Sequence, residues 1–143
     1  MKIRNPMPPL EGEEVILNEH KFERQIEGRL VLIYFWSISC KQCEGSLVKL
    51  NELKQIFRSK LNILTVHMPR AEKDKAMDPI KDKIENLAIP FPVFVDSELK
   101  ISDAFQNQIV PAFYLFDQEG LLRFYKVGLM STKQLEQKIS RII

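Results

Sequence analysis

Seven consecutive apolar residues, Leu30 to Trp36 (LVLIYFW), run into a short polar stretch that carries two cysteines, Ser37-Ile38-Ser39-Cys40-Lys41-Gln42-Cys43. A run rich in branched and aromatic residues, without polar alternation, is how a strand buried on both faces reads. Beyond the cysteines, Leu47, Leu50, Leu53 and Phe57 recur at helical spacing among Lys49, Glu52 and Lys54. That pattern predicts an amphipathic helix of about three turns ending near Lys60. A strand buried on both sides needs a layer on each side. The expected class is therefore α/β, a central mixed sheet flanked by helices on both faces.

The rest of the chain fits this plan. Leu61 to His67 (LNILTVH) reads as a second buried strand, and Pro92 to Asp96 (PVFVD) as a third. Between them Asp78-Pro79 signals a helix start, with Asp as cap and Pro in the first turn. Pro90 stops that helix, and Ile101 to Phe105 reads as another short one. Ala112–Phe116 and Leu121–Val127 flank Asp117-Gln118-Glu119-Gly120, a β-hairpin pattern. Ser131 and Gln134 form a capping-box pattern ahead of Leu135, Ile139 and Ile142. Residues 1–14 are Pro-rich and extended, Val15–Leu17 suits a short strand, and Lys21–Ile26 suits a helical turn or two.

With 143 residues the chain is expected to be one domain, 1–143. Its formal charge of +2 lacks the basic excess of a nucleic-acid binder. No apolar run approaches the roughly 20 residues needed to cross a bilayer. The first twenty residues lack the apolar core of a secretory signal, so a cytoplasmic, monomeric protein without membrane attachment is expected. In that compartment two cysteines are not a permanent staple.

Cys40 and Cys43 are the only cysteines, and they stand where the buried strand gives way to a helix. Cys-x-x-Cys beside a β-α-β pattern reads as a redox motif. A helix N-terminus offers unpaired N–H groups and partial positive charge, which stabilise a thiolate on Cys40 and depress its pKa. Lys41 adds a neighbouring cation. Cys43, one turn into the helix, is placed to reach back and resolve a mixed disulfide.

The run FWSISCKQC at 35–43, Val110-Pro111 far downstream and the hairpin FDQEG at 116–120 resemble the thioredoxin fold. More specifically they resemble the TlpA/ResA-type thiol–disulfide oxidoreductases, over nearly the whole chain from about Asn5. The resemblance implies a thioredoxin fold with an extra β-α insertion and an N-terminal extension. It implies Cys40 as exposed nucleophile, Cys43 as resolving thiol, and a cis Val110–Pro111 bond beside the disulfide. The Val110 backbone would then be free to pair with an extended substrate. The implied partners are disulfide-containing proteins or small thiol substrates together with a thiol reductant, with no cofactor and no metal.

Departures from the pattern concern proton handling. Tyr34 stands where thioredoxins carry a buried Asp, Ser39 replaces an aromatic residue, and Lys41-Gln42 lacks the usual proline. Trp36, four residues before Cys40, is expected to line the substrate surface. His67 is expected to be a hydrogen-bonded structural residue, Glu44 a helix N-terminal anion, and Arg70–Lys75 a solvated loop. Three other functions compete. A metal-handling module would use the two cysteines as half a site. A peroxidase would fit Ser37 but not Ile33, where a proline belongs. A non-catalytic scaffold would keep its activity without Cys40.

Overall fold

The structure is a computed structural model that describes residues 1–10, 15–21 and 28–143. Among the described residues six strands, β1 Ile16–Leu17, β2 Leu30–Trp36, β3 Leu61–His67, β4 Val93–Val95, β5 Ala112–Phe116 and β6 Leu122–Val127, form one sheet in the order β1-β4-β3-β2-β5-β6. The helices are α1 Lys41–Phe57, α2 Met77–Asn86, α3 Lys100–Phe105 and α4 Thr132–Ile142. β2, β3 and β4 run parallel, whereas β1, β5 and β6 pair antiparallel to their neighbours, so the sheet is mixed.

Every residue of β2 and β3 is buried, as a continuous apolar run requires. Successive side chains on a strand point to opposite faces. Tyr34 reaches α1, where its hydroxyl donates to the Cys43 carbonyl at 2.9 Å. Phe35, next along the strand, packs edge-on against Phe105 of α3 at 5.3 Å. α1 and α3 therefore lie on opposite faces, the three-layer arrangement expected from the sequence. α1 buries Leu47, Leu50, Leu53 and Phe57 against the sheet. Truncating one such leucine to alanine costs about 2–5 kcal/mol.

Local signals account for most element ends. Ser131 accepts the Gln134 N–H while the Gln134 side chain takes the Ser131 N–H, completing the capping box. The hairpin turns on Asp117, whose carboxylate accepts the N–H groups of Glu119 and Leu121, and on Gly120 at φ 78°. That left-handed backbone suits glycine. Two expectations shift. α2 begins at Met77 after Ala76, so Asp78 lies inside the first turn rather than capping it. α1 ends at Phe57, and a 3-10 turn carries the chain through Lys60. Of the turn expected at Lys21–Ile26, Lys21 closes a 3-10 turn from Glu19, and the remainder lies outside the described residues.

Register sets the location of the site. Trp36 pairs with His67 across β2 and β3, and Phe35 pairs with Ala112 across β2 and β5. The residues that follow Trp36, those that follow His67 and those that precede Ala112 therefore meet at one end of these three central strands. The carboxyl ends of parallel strands are where open α/β sheets carry their sites.

Candidate functional site

Cys40 is the N-cap of α1, with φ −98° and ψ 102°, and its Sγ accepts the Cys43 N–H at 3.2 Å. The two cysteines form a disulfide with Cα atoms 5.4 Å apart, within the ordinary range. They differ in access: Cys40 is 8% exposed and Cys43 is 0%. Helix-terminal N–H groups favour negative charge on the sulfur they face. Once reduced, the pair thus has an outer sulfur at a helix N-terminus and an inner sulfur beneath it.

Lys41 is exposed beside the disulfide. Glu44 forms an ion pair with Lys83, tying the first turn of α1 to α2. The Val110–Pro111 peptide is cis, and Pro111 adjoins the β5 residue that pairs with Phe35. The Pro111 carbonyl accepts the Gly128 N–H at 2.8 Å. Asn107 braces the same loop, donating to the Ile109 carbonyl and accepting from the Tyr114 hydroxyl.

Trp36 is not where the sequence suggested. It is 1% exposed, its indole N–H donates to Thr65 Oγ1 at 3.3 Å, and its ring meets His67 edge-on at 5.0 Å. A ring enclosed in this way supports the site from below and offers no face to a substrate. His67 is structural, as expected. It is buried, and its Nε2 accepts the Ile38 N–H at 3.0 Å. Burial is the main reason its pKa falls from 6.5 to about 4, opposed by the nearby Asp74 charge.

The Arg70–Lys75 stretch is not a solvated loop throughout. Asp74 is 2% exposed, and its Oδ2 accepts hydrogen bonds from Ser37 Oγ, Ser39 Oγ and the Arg70 N–H at 3.1, 2.8 and 2.9 Å. Burial alone would raise its pKa. The Arg70 N–H and the two serine hydroxyls outweigh burial and hold the carboxylate below its usual range. The Arg70 guanidinium donates to Ser39 Oγ at 3.0 Å and to the Ser39 carbonyl at 2.6 Å. The signal missed in the sequence was topological: residues following two adjacent parallel strands arrive side by side. Tyr34, at the usual position of a buried acid, keeps its proton, because burial pushes its hydroxyl well above the ordinary phenol range.

A thioredoxin fold with a dicysteine at the head of its first long helix defines a thiol–disulfide oxidoreductase of the TlpA/ResA type. The chain belongs to the AhpC/TSA family, which matches residues 3–125. It is 41% identical to the thiol–disulfide oxidoreductase YkuV of Bacillus subtilis, over 100% of this chain and 97% of that protein. The thiol–disulfide oxidoreductase ResA of Bacillus cereus is 26% identical over 93% of this chain and 71% of its own length. A solution structure of a thioredoxin-like protein in its oxidised form superposes with a TM-score of 0.86 at 40% identity, covering 99% of this chain and 97% of that one.

Proposed function

We propose that the protein is a cytoplasmic, monomeric reductase of disulfides in proteins or small thiol compounds, cycling through Cys40 and Cys43. The observation that carries the assignment of roles is the difference in access between the two cysteines: both are largely buried, but Cys40, the N-cap of α1, keeps 8% of its surface exposed and Cys43 keeps none. In the dithiol form the Cys40 thiolate attacks one sulfur of a substrate disulfide. A mixed disulfide forms, and the other substrate sulfur leaves as a thiolate that takes up a proton. Cys43 then loses its proton to water or to the leaving thiolate and attacks the Cys40 sulfur. That step releases the second substrate thiol and closes the Cys40–Cys43 bond. Two electrons pass to the substrate, and a thiol reductant restores the dithiol.

Among the described residues nothing pairs with the Val110 backbone, which supports its use as the strand-like dock for a substrate segment. Lys41 supplies a secondary, solvent-screened cation. Ser37, the residue that fitted a peroxidase, has its hydroxyl bonded to Asp74, which favours disulfide exchange over peroxide reduction. In a compartment with a reducing thiol pool the net direction is reduction. Equilibration with glutathione tests this. The expected potential lies between about −270 mV, the thioredoxin value, and about −200 mV, whereas one above about −150 mV defeats the reductase assignment.

A further inference from the structure

The turn that delivers Cys40 closes on itself and is held from outside by the last residue of β3 and by the segment that follows that strand. The Cys40 N–H closes the turn onto the Ser37 carbonyl at 3.0 Å. Ser37 and Ser39 donate their hydroxyls to Asp74, and Ile38 donates its N–H to His67. Arg70 grips Ser39 twice from the outer side. One buried anion and one surface cation thus converge on the residue that precedes Cys40. A buried carboxylate is costly to place, and here three donors on two segments compensate it.

We propose that Arg70–Asp74 is a clamp on the nucleophile, with Asp74 the positioning residue that fixes the Ser37–Cys40 turn and the opposed charges of Asp74 and Arg70 setting the acidity of the Cys40 thiol. This rests on Cys40 being the attacking thiol. The Asp74 carboxylate disfavours a second negative charge nearby, and the Arg70 guanidinium favours one. Together they moderate the thiolate stabilisation that the helix N-terminus supplies. Among the described residues, the other titratable groups near Cys40 are the Cys43 thiol of the reduced pair and Lys41 on its own helix, the Glu44–Lys83 pair across α1 and α2, and His67 from β3. His67 is neutral above about pH 4. The Tyr34 hydroxyl stays protonated throughout the range in which a thiol titrates.

The test is the pH profile of alkylation by iodoacetamide in the reduced protein, with the labelled cysteine located by mass. Asn can present its carbonyl oxygen where Asp74 Oδ2 lies, so Asp74→Asn keeps the three acceptor bonds and removes the charge. It should move the Cys40 midpoint down by about half a pH unit or more. Arg70→Gln should move it up. A purely structural loosening has no reason to give opposite signs. Asp74→Ala should also raise hydrogen exchange at the Cys40 and Arg70 amides by about tenfold or more, which Asp74→Asn does not. Should Asp74→Ala fail to fold, Ser39→Ala replaces it with the Cys40 amide as its readout, because Ser39 bridges both charged partners. Unmoved midpoints, midpoints that move the same way in both charge variants, or amides as protected as in the wild type would overturn the clamp. Label found first on Cys43 would instead overturn the assignment of roles, whatever the midpoints do.

Discussion

His67 gives the fold a built-in sensitivity to acid. The imidazole is buried and uses its Nε2 lone pair to accept the Ile38 N–H, so protonation would both charge a dry site and break that bond. The gap between 6.5 and about 4, at about 1.4 kcal/mol per unit, is worth about 3 kcal/mol. The sign follows from proton uptake. Above pH 6.5 both folded and unfolded chains are neutral at this residue, and the full contribution is present. Below 6.5 the unfolded chain takes a proton that the folded chain refuses, and the contribution is gone once the pH has passed below about 4. Asp74 and Asp117, both lowered from 3.8, lose their contributions only at lower pH, outside this window. Unfolding free energies of the oxidised protein in urea, at pH 7 and pH 4.5, provide the assay. His67→Gln retains an acceptor for Ile38 and removes the titration. Wild type should lose about 2.5 kcal/mol more than the variant between the two pH values. Equal losses, or a smaller loss in the wild type, would refute the reasoning.

Two further outcomes follow from the first turns of α1. Tyr34→Phe removes one buried hydrogen bond to the Cys43 carbonyl and should cost about 1 kcal/mol of stability. Its disulfide exchange rate should stay within about twofold of wild type, since the hydroxyl contacts a backbone carbonyl and carries no proton to sulfur. A fall in rate with stability intact would contradict this. Gly45 lies inside α1, and a Cβ added there meets nothing within 4 Å. Gly45→Ala should therefore raise the urea midpoint, by about 0.5–1 kcal/mol in unfolding free energy.

Much of the fold was legible because its signals are local. The apolar runs at 30–36 and 61–67 became β2 and β3 with the same bounds, and the Ser131 box capped α4 as read. The dicysteine stood out because it coincided with a strand-to-helix junction. What escaped depends on pairs far apart in sequence. Asp74 is buried because β3 lies beside β2, and a carboxylate within a charged stretch shows no sign of that in one dimension. Trp36 was misplaced for a related reason. Closeness to Cys40 along the chain does not say which face a strand-end side chain takes, and Thr65 on the neighbouring strand accepts its N–H. His67 was read correctly as structural, but its partner Ile38 became visible only with the register between β2 and β3.

The central claim is that the outer sulfur attacks and the inner one resolves. Mixed-disulfide trapping reads it most directly. Reduced Cys43→Ser and Cys40→Ser proteins are each incubated with a disulfide-containing protein, quenched with acid and analysed by mass. Cys43→Ser should accumulate a covalent adduct through Cys40 that dithiol reductants release, and Cys40→Ser should accumulate none and turn over no substrate. Adducts forming instead through Cys43 in the Cys40→Ser protein, with Cys43→Ser inert, would contradict the account.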